Sequence, residues 1–106
     1  SQQAPELQIP CATDKTDVSG DAKAQLNNLA KTLKTGGQRI NIMAYADGTE
    51  EQTTTARRVS LSRALAIRAY LIDQGVDSLK INVKALGNKE RGDGAPDRAD
   101  LFLIKG

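Results

Sequence analysis

Apolar residues recur along this chain at helical spacing in two stretches. Gly20 to Thr35 carries one apolar stripe, which predicts an amphipathic helix buried through Ala22, Leu26, Leu29, Ala30 and Leu33. A second, longer helix is predicted from Thr54 to Gln74, with an inward face formed by Ser60, Ala64, Ile67 and Leu71. Ser19 is the predicted N-cap of the first helix. Gly36-Gly37 and Gly75 predict where the two helices end.

Shorter stretches in which apolar and polar residues alternate predict four strands. Their predicted bounds are Pro5–Ala12, Arg39–Ala46, Leu79–Leu86 and Arg98–Ile104. The prolines of the first strand favour an edge position, because proline has no N–H to give to a neighbouring strand. In the third strand the alternation assigns Leu79 to the apolar side. A charged, glycine-rich loop is predicted over Gly87–Pro96.

The order of these elements is strand, helix, strand, helix, strand, loop, strand, which predicts an α/β (α+β) two-layer sandwich. Both helices would pack on one face of a four-stranded sheet. Helical crossovers imply parallel neighbouring strands with right-handed connections. The other face of the sheet would be polar and would carry Asn41, Tyr45, Lys80, Asn82 and Lys84. The 106 residues fit one domain spanning 1–106.

Composition removes several classes of function. The chain has no His, which excludes serine-type triads, cysteine–histidine pairs and most zinc sites. It has two Tyr, one Phe and no Trp, too few aromatic platforms for a single-stranded nucleic-acid binder. The net charge of +2 comes from well-mixed charges and does not indicate a polyanion partner. We therefore expect no enzyme activity, no cofactor, no metal site and no nucleic acid.

The only cysteine and the lack of long apolar runs limit the location of the domain. Cys11 cannot form an intrachain disulfide and is predicted to be a small buried side chain of the first strand. No apolar run approaches the ~20 residues that span a bilayer, so we expect no membrane insertion by this segment. The chain begins at Ser1 without Met, and we expect that it is processed or cut from a longer protein. Any membrane anchor would then lie outside it.

A candidate site lies between the second strand and the second helix. Asp47 follows the strand and Arg63 lies on the helix, with a polar loop between them. Ligands of α/β folds bind at the carboxyl ends of strands and at helix N-termini. An Asp and an Arg held close without cancelling would receive a zwitterion, with Arg on a carboxylate and Asp on an ammonium. The alternative is a turn-forming Asp47 and a solvated Arg63, and composition and spacing alone favour it.

Several stretches, in this order, resemble the OmpA C-terminal family, which includes the peptidoglycan-associated lipoprotein and the periplasmic domain of motility protein B. The strand reads Ile40-Asn41-Ile42-Met43-Ala44-Tyr45-Ala46-Asp47, and the helix reads Val59-Ser60-Leu61-Ser62-Arg63-Ala64-Leu65-Ala66-Ile67. Tyr70-Leu71, Gly75-Val76 and Lys80-Ile81 then follow. Asp97-Arg98-Ala99 resembles the family's Asn-Arg-Arg. The likeness covers nearly the whole chain.

This resemblance implies a domain that binds peptidoglycan non-covalently and anchors an envelope protein or complex to the cell wall. It gives Asp47 and Arg63 the roles of the residues that hold the diaminopimelate of the stem peptide. Further ligand candidates are Ala46, Gly48 and Arg98. The implied location is the periplasm of a Gram-negative bacterium, with attachment to the outer or inner membrane through a segment outside this chain. The implied partners are peptidoglycan and other envelope proteins.

The chain also departs from the family pattern. The Gly-His-Thr before the Asp is Ala44-Tyr45-Ala46, the loop Asn is replaced by Ala56, and the second Arg is Ala99. The spacing from Asp47 to Arg63 is one residue longer than in the pattern. The alternative interpretation is therefore a domain that has kept the fold and lost the ligand site. Such a domain would act as a structural or protein-interaction module of an envelope assembly.

Overall fold

Two helices pack on one four-stranded sheet, in the element order that the sequence predicts. The computed structural model describes residues 4–12, 15–89 and 95–105. Its elements are β1 (Leu7–Pro10), α1 (Gly20–Thr35), β2 (Gln38–Tyr45), α2 (Thr53–Asp73), β3 (Ile81–Gly87) and β4 (Arg98–Lys105). Short 3₁₀ turns at Glu50–Gln52 and Ser78–Lys80 precede α2 and β3. No helix in these ranges is long and apolar enough to cross a membrane.

The strand order in the sheet is β1-β4-β2-β3. β2 and β3 are parallel neighbours joined through α2, as predicted, and β1 lies at an edge, also as predicted. The expectation of parallel neighbours is wrong for β1 and β2, because β4 lies between them and pairs antiparallel with both. A helical crossover fixes the direction of the next strand but leaves room for one strand to enter between the two.

Helix α1 forms as the sequence predicts. The Ser19 hydroxyl accepts a hydrogen bond from the Ala22 amide at 3.2 Å, which satisfies one of the free N–H groups of the first turn. The residues buried on α1 are Ala22, Leu26, Leu29, Ala30 and Leu33. These are the predicted stripe.

Lys80 and Leu79 are not where the sequence places them. Both were expected on β3, but Asp77 accepts a hydrogen bond from the Leu79 amide at 3.0 Å and turns the chain before the strand begins. Leu79 is 81% exposed instead of lying on the apolar side. The Lys80 ammonium donates to the carbonyls of Leu33 at 2.7 Å and Gly36 at 3.1 Å. A cation therefore satisfies the C-terminal carbonyls of α1.

Helix α2 ends at a left-handed glycine. Gly75 has φ 102°, and the amides of Gly75 and Val76 donate to the carbonyls of Ile72 at 2.9 Å and Leu71 at 3.0 Å. Val76 is 2% exposed and covers the last turn, so the helix end predicted at Gly75 is confirmed, with Gln74 as the C-cap. The inward face of α2 also matches the prediction, and its buried residues are Ala56, Ser60, Arg63, Ala64, Ile67 and Leu71.

The core lies between the two helices and the sheet. From the sheet it takes alternate residues of the central strands, which are Ile40, Ile42, Ala44, Ala99 and Leu101. β1 is shorter than predicted, and Cys11 follows it rather than lying within it. The Cys11 side chain is only half-buried, and burial raises the pKa of its thiol.

Gly87 allows β3 to approach α2 closely at the end of the sheet that carries the candidate site. It has φ 58°, and a Cβ added there would lie 2.8 Å from the backbone nitrogen of Arg57. The Gly87 amide donates to the Ser60 hydroxyl at 3.0 Å, which joins strand to helix. The pairing of β2 with β3 shifts between Ala44 and Tyr45, so that Tyr45 lies opposite Gly87. Only glycine fits this backbone conformation and this spacing.

We expect Gly87→Ala to destabilise the fold by about 2–4 kcal/mol, because it combines a left-handed backbone with a clash against the α2 backbone. Gly37→Ala is the matched control, since a Cβ at Gly37 would meet no atom within 4 Å. Urea unfolding monitored by circular dichroism measures both variants. Equal midpoints for the two would contradict the close packing of β3 on α2.

Candidate ligand-binding site

The candidate site begins where β2 leaves the sheet. The Ala46 amide donates to the Gly87 carbonyl at 2.9 Å, which holds the chain against β3 for one residue more. Asp47 is the next residue and its side chain is exposed. Its Oδ1 accepts from the Gly48 amide at 2.9 Å, a local bond that turns the chain into the following loop.

The loop after Asp47 is held from both ends. The Gln52 side chain accepts from the Thr49 amide at 2.9 Å, which prepares the entry into α2. The Asn88 amide group, just beyond β3, donates to the carbonyls of Gly48 at 3.1 Å and Thr49 at 2.9 Å. The backbone around Asp47 and Gly48 therefore has a shape fixed by neighbouring elements.

Arg63 lies inside the protein and is not the solvated side chain of the alternative interpretation. It is 2% exposed. Its Nε donates to the Lys15 carbonyl at 2.8 Å and its Nη2 to the Ala12 carbonyl at 3.0 Å, both in the connection between β1 and α1. Its Nη1 donates to the Tyr45 carbonyl at 3.0 Å, at the end of β2. One guanidinium thus ties α2 to two other parts of the chain.

Asp97 supplies the carboxylate that pairs with Arg63. Its Oδ1 lies 2.7 Å from Arg63 Nη1 and also accepts from the Asp47 amide at 3.2 Å. The Asp97 carbonyl in turn accepts from the Cys11 amide at 3.1 Å, which pins this residue beside the end of β1. The expectation that Asp47 and Arg63 would be held together with uncancelled charges needs correction, because the charge of Arg63 is already paired with Asp97.

Sequence reasoning missed this role of Asp97. The residue lies just before β4, and only the insertion of β4 beside β2 brings it to the same end of the sheet as Asp47. The strand order is not encoded in any local pattern. The one available signal was the likeness of Asp97-Arg98-Ala99 to the family's Asn-Arg-Arg, which marks the position but not its contact with Arg63.

A cavity of about 280 Å³ joins most of the predicted site residues. It is lined by Ala46, Asp47, Gly48, Gln52, Thr55, Ala56, Val59, Arg63 and Asp97. The structure therefore brings Ala46, Asp47, Gly48 and Arg63 together in one concavity. An exposed carboxylate, an amide, a hydroxyl and a buried guanidinium–carboxylate pair are groups that bind a small charged ligand.

Arg98 does not line this cavity. Its Nε lies 3.1 Å from both carboxylate oxygens of Asp100, and its Nη1 donates to the Ala95 carbonyl at 2.6 Å. The guanidinium carbon lies 4.2 Å from the centroid of the Tyr45 ring. Arg98 is 8% exposed and stacks on the residue paired with it across β2 and β4. Its role as a ligand residue stays a prediction.

Cys11 lies close enough to the site for the charges of Arg63 and Asp97 to act on the pKa of its thiol. Burial raises the pKa of the Cys11 thiol, and the positive charge of Arg63 opposes that rise only in part. A raised pKa leaves the thiol protonated and poorly nucleophilic at neutral pH. In the ranges that the structure describes, no group of three His, Cys, Asp or Glu side chains could hold a metal ion.

Comparison with known proteins gives one family and a set of similar structures. The model of the OmpA family matches residues 12–100. The peptidoglycan-associated lipoprotein of Burkholderia pseudomallei superposes with a TM-score of 0.80 at 25% identity, covering 91% of this chain and 88% of that chain. No curated protein matches this chain.

Two further structures agree in fold at lower identity. The OmpA-like domain of FopA1 from Francisella tularensis has a TM-score of 0.76 at 19% identity, covering 92% of this chain and 71% of that one. The C-terminal domain of Helicobacter pylori MotB has a TM-score of 0.77 at 15% identity, covering 93% of this chain and 84% of that one. At such identities these two likenesses support the two-layer fold alone.

We expect Arg63→Ala to destabilise the domain by about 3 kcal/mol, because it removes a buried cation from Asp97 and leaves three backbone carbonyls without their donor. Arg58→Ala is the matched control on the exposed side of the same helix, and a change within about 0.5 kcal/mol is expected. Denaturant unfolding compares the two. A neutral Arg63→Ala would mean that its internal bonds contribute nothing to the fold.

Proposed function

The chain belongs to the OmpA family, and from that premise we propose that the domain binds peptidoglycan non-covalently and anchors an envelope protein or complex to the cell wall. The family match spans most of the chain, and the similar structure at 25% identity is that of a peptidoglycan-associated lipoprotein. The proposal makes this a periplasmic binding domain rather than an enzyme. Attachment to the outer or inner membrane would come from a segment outside this chain.

The observation that carries the proposal is the cavity at the end of β2. It is lined by Asp47 and Arg63, to which the family resemblance gives the diaminopimelate of the stem peptide, and by the further candidates Ala46 and Gly48. We propose that the exposed Asp47 carboxylate receives the ligand ammonium. Its Oδ1 already accepts a hydrogen bond from the Gly48 amide, so the side chain is oriented before the ligand arrives. Orientation in advance reduces the entropy lost on binding.

Arg63 is the proposed partner of the ligand carboxylate, but most of its N–H groups already donate to other groups of the protein. In the ranges that the structure describes, four of its five N–H groups already donate hydrogen bonds, and the fifth is on Nη2. A ligand carboxylate at Nη1 must therefore share that nitrogen with Asp97 or displace it. A charge-assisted hydrogen bond contributes about 1.5–3 kcal/mol, but exchanging one such bond for another gains less. Asp47 would then contribute the larger net share of affinity.

A second candidate function is that of a protein-interaction module with a lost ligand site. It is favoured by the same burial of Arg63, which is 2% exposed, and by Ala56 at the position of the family's loop Asn. Such a domain would not sediment with sacculi under any condition, although it would be folded. Sedimentation of the wild-type domain with diaminopimelate-containing sacculi, with free diaminopimelate as competitor, separates the two candidates.

We expect Asp47→Asn to weaken sacculus binding by about tenfold to a hundredfold, because it removes one charge-assisted bond and keeps the oxygen that accepts from Gly48. Asp73→Asn makes the same change at an exposed position at the end of α2 and is the matched control. Sedimentation over a range of sacculus concentrations measures both. Equal binding by the two variants would mean that Asp47 is not a ligand residue.

We expect Asp97→Asn to bind sacculi about fivefold more tightly than the wild type, because a neutral amide competes less for Arg63 than a carboxylate does. The asparagine keeps an oxygen for the Asp47 amide and for Arg63, so the fold should persist. Circular dichroism checks the fold, and the same sedimentation series measures the affinity. Weaker binding would instead assign Asp97 to the ligand ammonium.

A further inference from the structure

A wide groove lies outside the candidate site. It has a volume of about 820 Å³ and runs between α2 and β3. Its lining residues are Thr53, Thr54, Arg57, Arg58, Leu61, Val83, Lys84, Ala85, Leu86 and Lys89, none of which lines the site cavity. At about 100° per residue, the α2 residues of this groove and those of the site lie on opposite flanks of the helix.

The groove is strongly cationic. Arg57 and Arg58 project from α2, and Lys84 and Lys89 come from β3 and the turn after it, and all are exposed. Among the lining residues that the structure describes there is no carboxylate, and none of these cations has a salt-bridge partner there. The whole chain carries a net charge of only +2, so this concentration is local. It favours an anionic occupant.

The floor of the groove is apolar and ends at an open strand edge. Leu61 is 41% exposed on the helix side, and Val83, Ala85 and Leu86 are half-buried on the strand side. β3 is the last strand of the sheet and pairs only with β2. Its outer edge therefore presents backbone donors and acceptors that an added strand could use.

We propose that this groove is the docking site of an extended, acidic segment of another protein, which adds to the outer edge of β3. Strand addition supplies backbone hydrogen bonds, and alternate side chains of the added segment enter the groove. Acidic side chains meet the cations of the groove, and small apolar side chains cover the floor at Leu61 and Val83. A glycan or phosphate polymer would satisfy the cations but would leave the apolar floor and the strand edge uncovered.

The competing explanation is that Lys84 protects the edge. A charged side chain on an edge strand commonly prevents unwanted pairing with other chains. That explanation accounts for one lysine on β3. It does not account for two arginines on the facing helix or for an exposed leucine between them and the strand.

The test is a titration of the isotope-labelled domain, followed by amide NMR, with a blocked peptide in which Glu and Val alternate over the length of β3. We expect shifts concentrated at Val83 to Leu86 and at Arg57 and Arg58. A peptide with Lys in place of Glu should not bind. A Glu-Val peptide with alternate amides methylated should lose binding, because it cannot donate to the strand edge. Equal binding by either control peptide, or no shifts at millimolar concentration, overturns the proposal.

Charge-reversal variants test which cations of the groove bind the peptide. Arg58→Glu combined with Lys84→Glu should weaken peptide binding by at least about tenfold. Lys23→Glu combined with Lys31→Glu makes the same change in net charge on the exposed side of α1 and should leave binding unchanged.

Shifts at the same amides with inorganic polyphosphate but not with the peptide would replace the proposal with a polyanion site. Because none of these residues lines the site cavity, the groove variants should still sediment with sacculi, and loss of sedimentation would contradict a separate docking surface.

Discussion

The guanidinium of Arg63 is the interaction on which this end of the molecule depends. It reaches backbone carbonyls of Ala12, Lys15 and Tyr45 and the carboxylate of Asp97, so α2 is tied to the β1–α1 connection, to the end of β2 and to the start of β4. A cation that is 2% exposed needs hydrogen bonds in place of water, and the Asp97 carboxylate adds a counter-charge to them. The cavity exists because these segments are held together around that group.

Under the proposed function, this arrangement joins ligand binding to stability at one residue. A family resemblance assigns Arg63 to the ligand, and the structure assigns it to the framework, and both uses draw on the same N–H groups. At Nη1, a ligand carboxylate under the proposed function would gain only what it gains over Asp97. The Asp47 side chain is exposed, and its Oδ1 accepts a local hydrogen bond from the Gly48 amide. A substitution of Arg63 is therefore expected to alter the fold as well as the binding of a ligand.

Sequence patterns predicted a helix or its ends correctly where a single local feature determines them. The stripe of α1, the cap at Ser19 and the end of α2 at Gly75 follow from spacing and backbone geometry alone. The start of β3 was mispredicted because a side-chain cap at Asp77 outweighed the alternation that included Leu79. The place of β4 and the pairing of Asp97 with Arg63 depend on strand order, which no window of the sequence contains.

Different faces of the long helix α2 line the core, the candidate site and the cationic groove. Its core stripe, with Ser60 and Leu71, lies between the flank that lines the site and the flank that lines the cationic groove. At Gly87, β3 comes close to the α2 backbone at Ala56 and Arg57. Arg63 lies where the site flank meets the core, which explains why a charged residue is buried there and Arg57 and Arg58 are not. Since the two flanks face opposite sides of α2, the proposed site and the proposed docking surface share no lining residue.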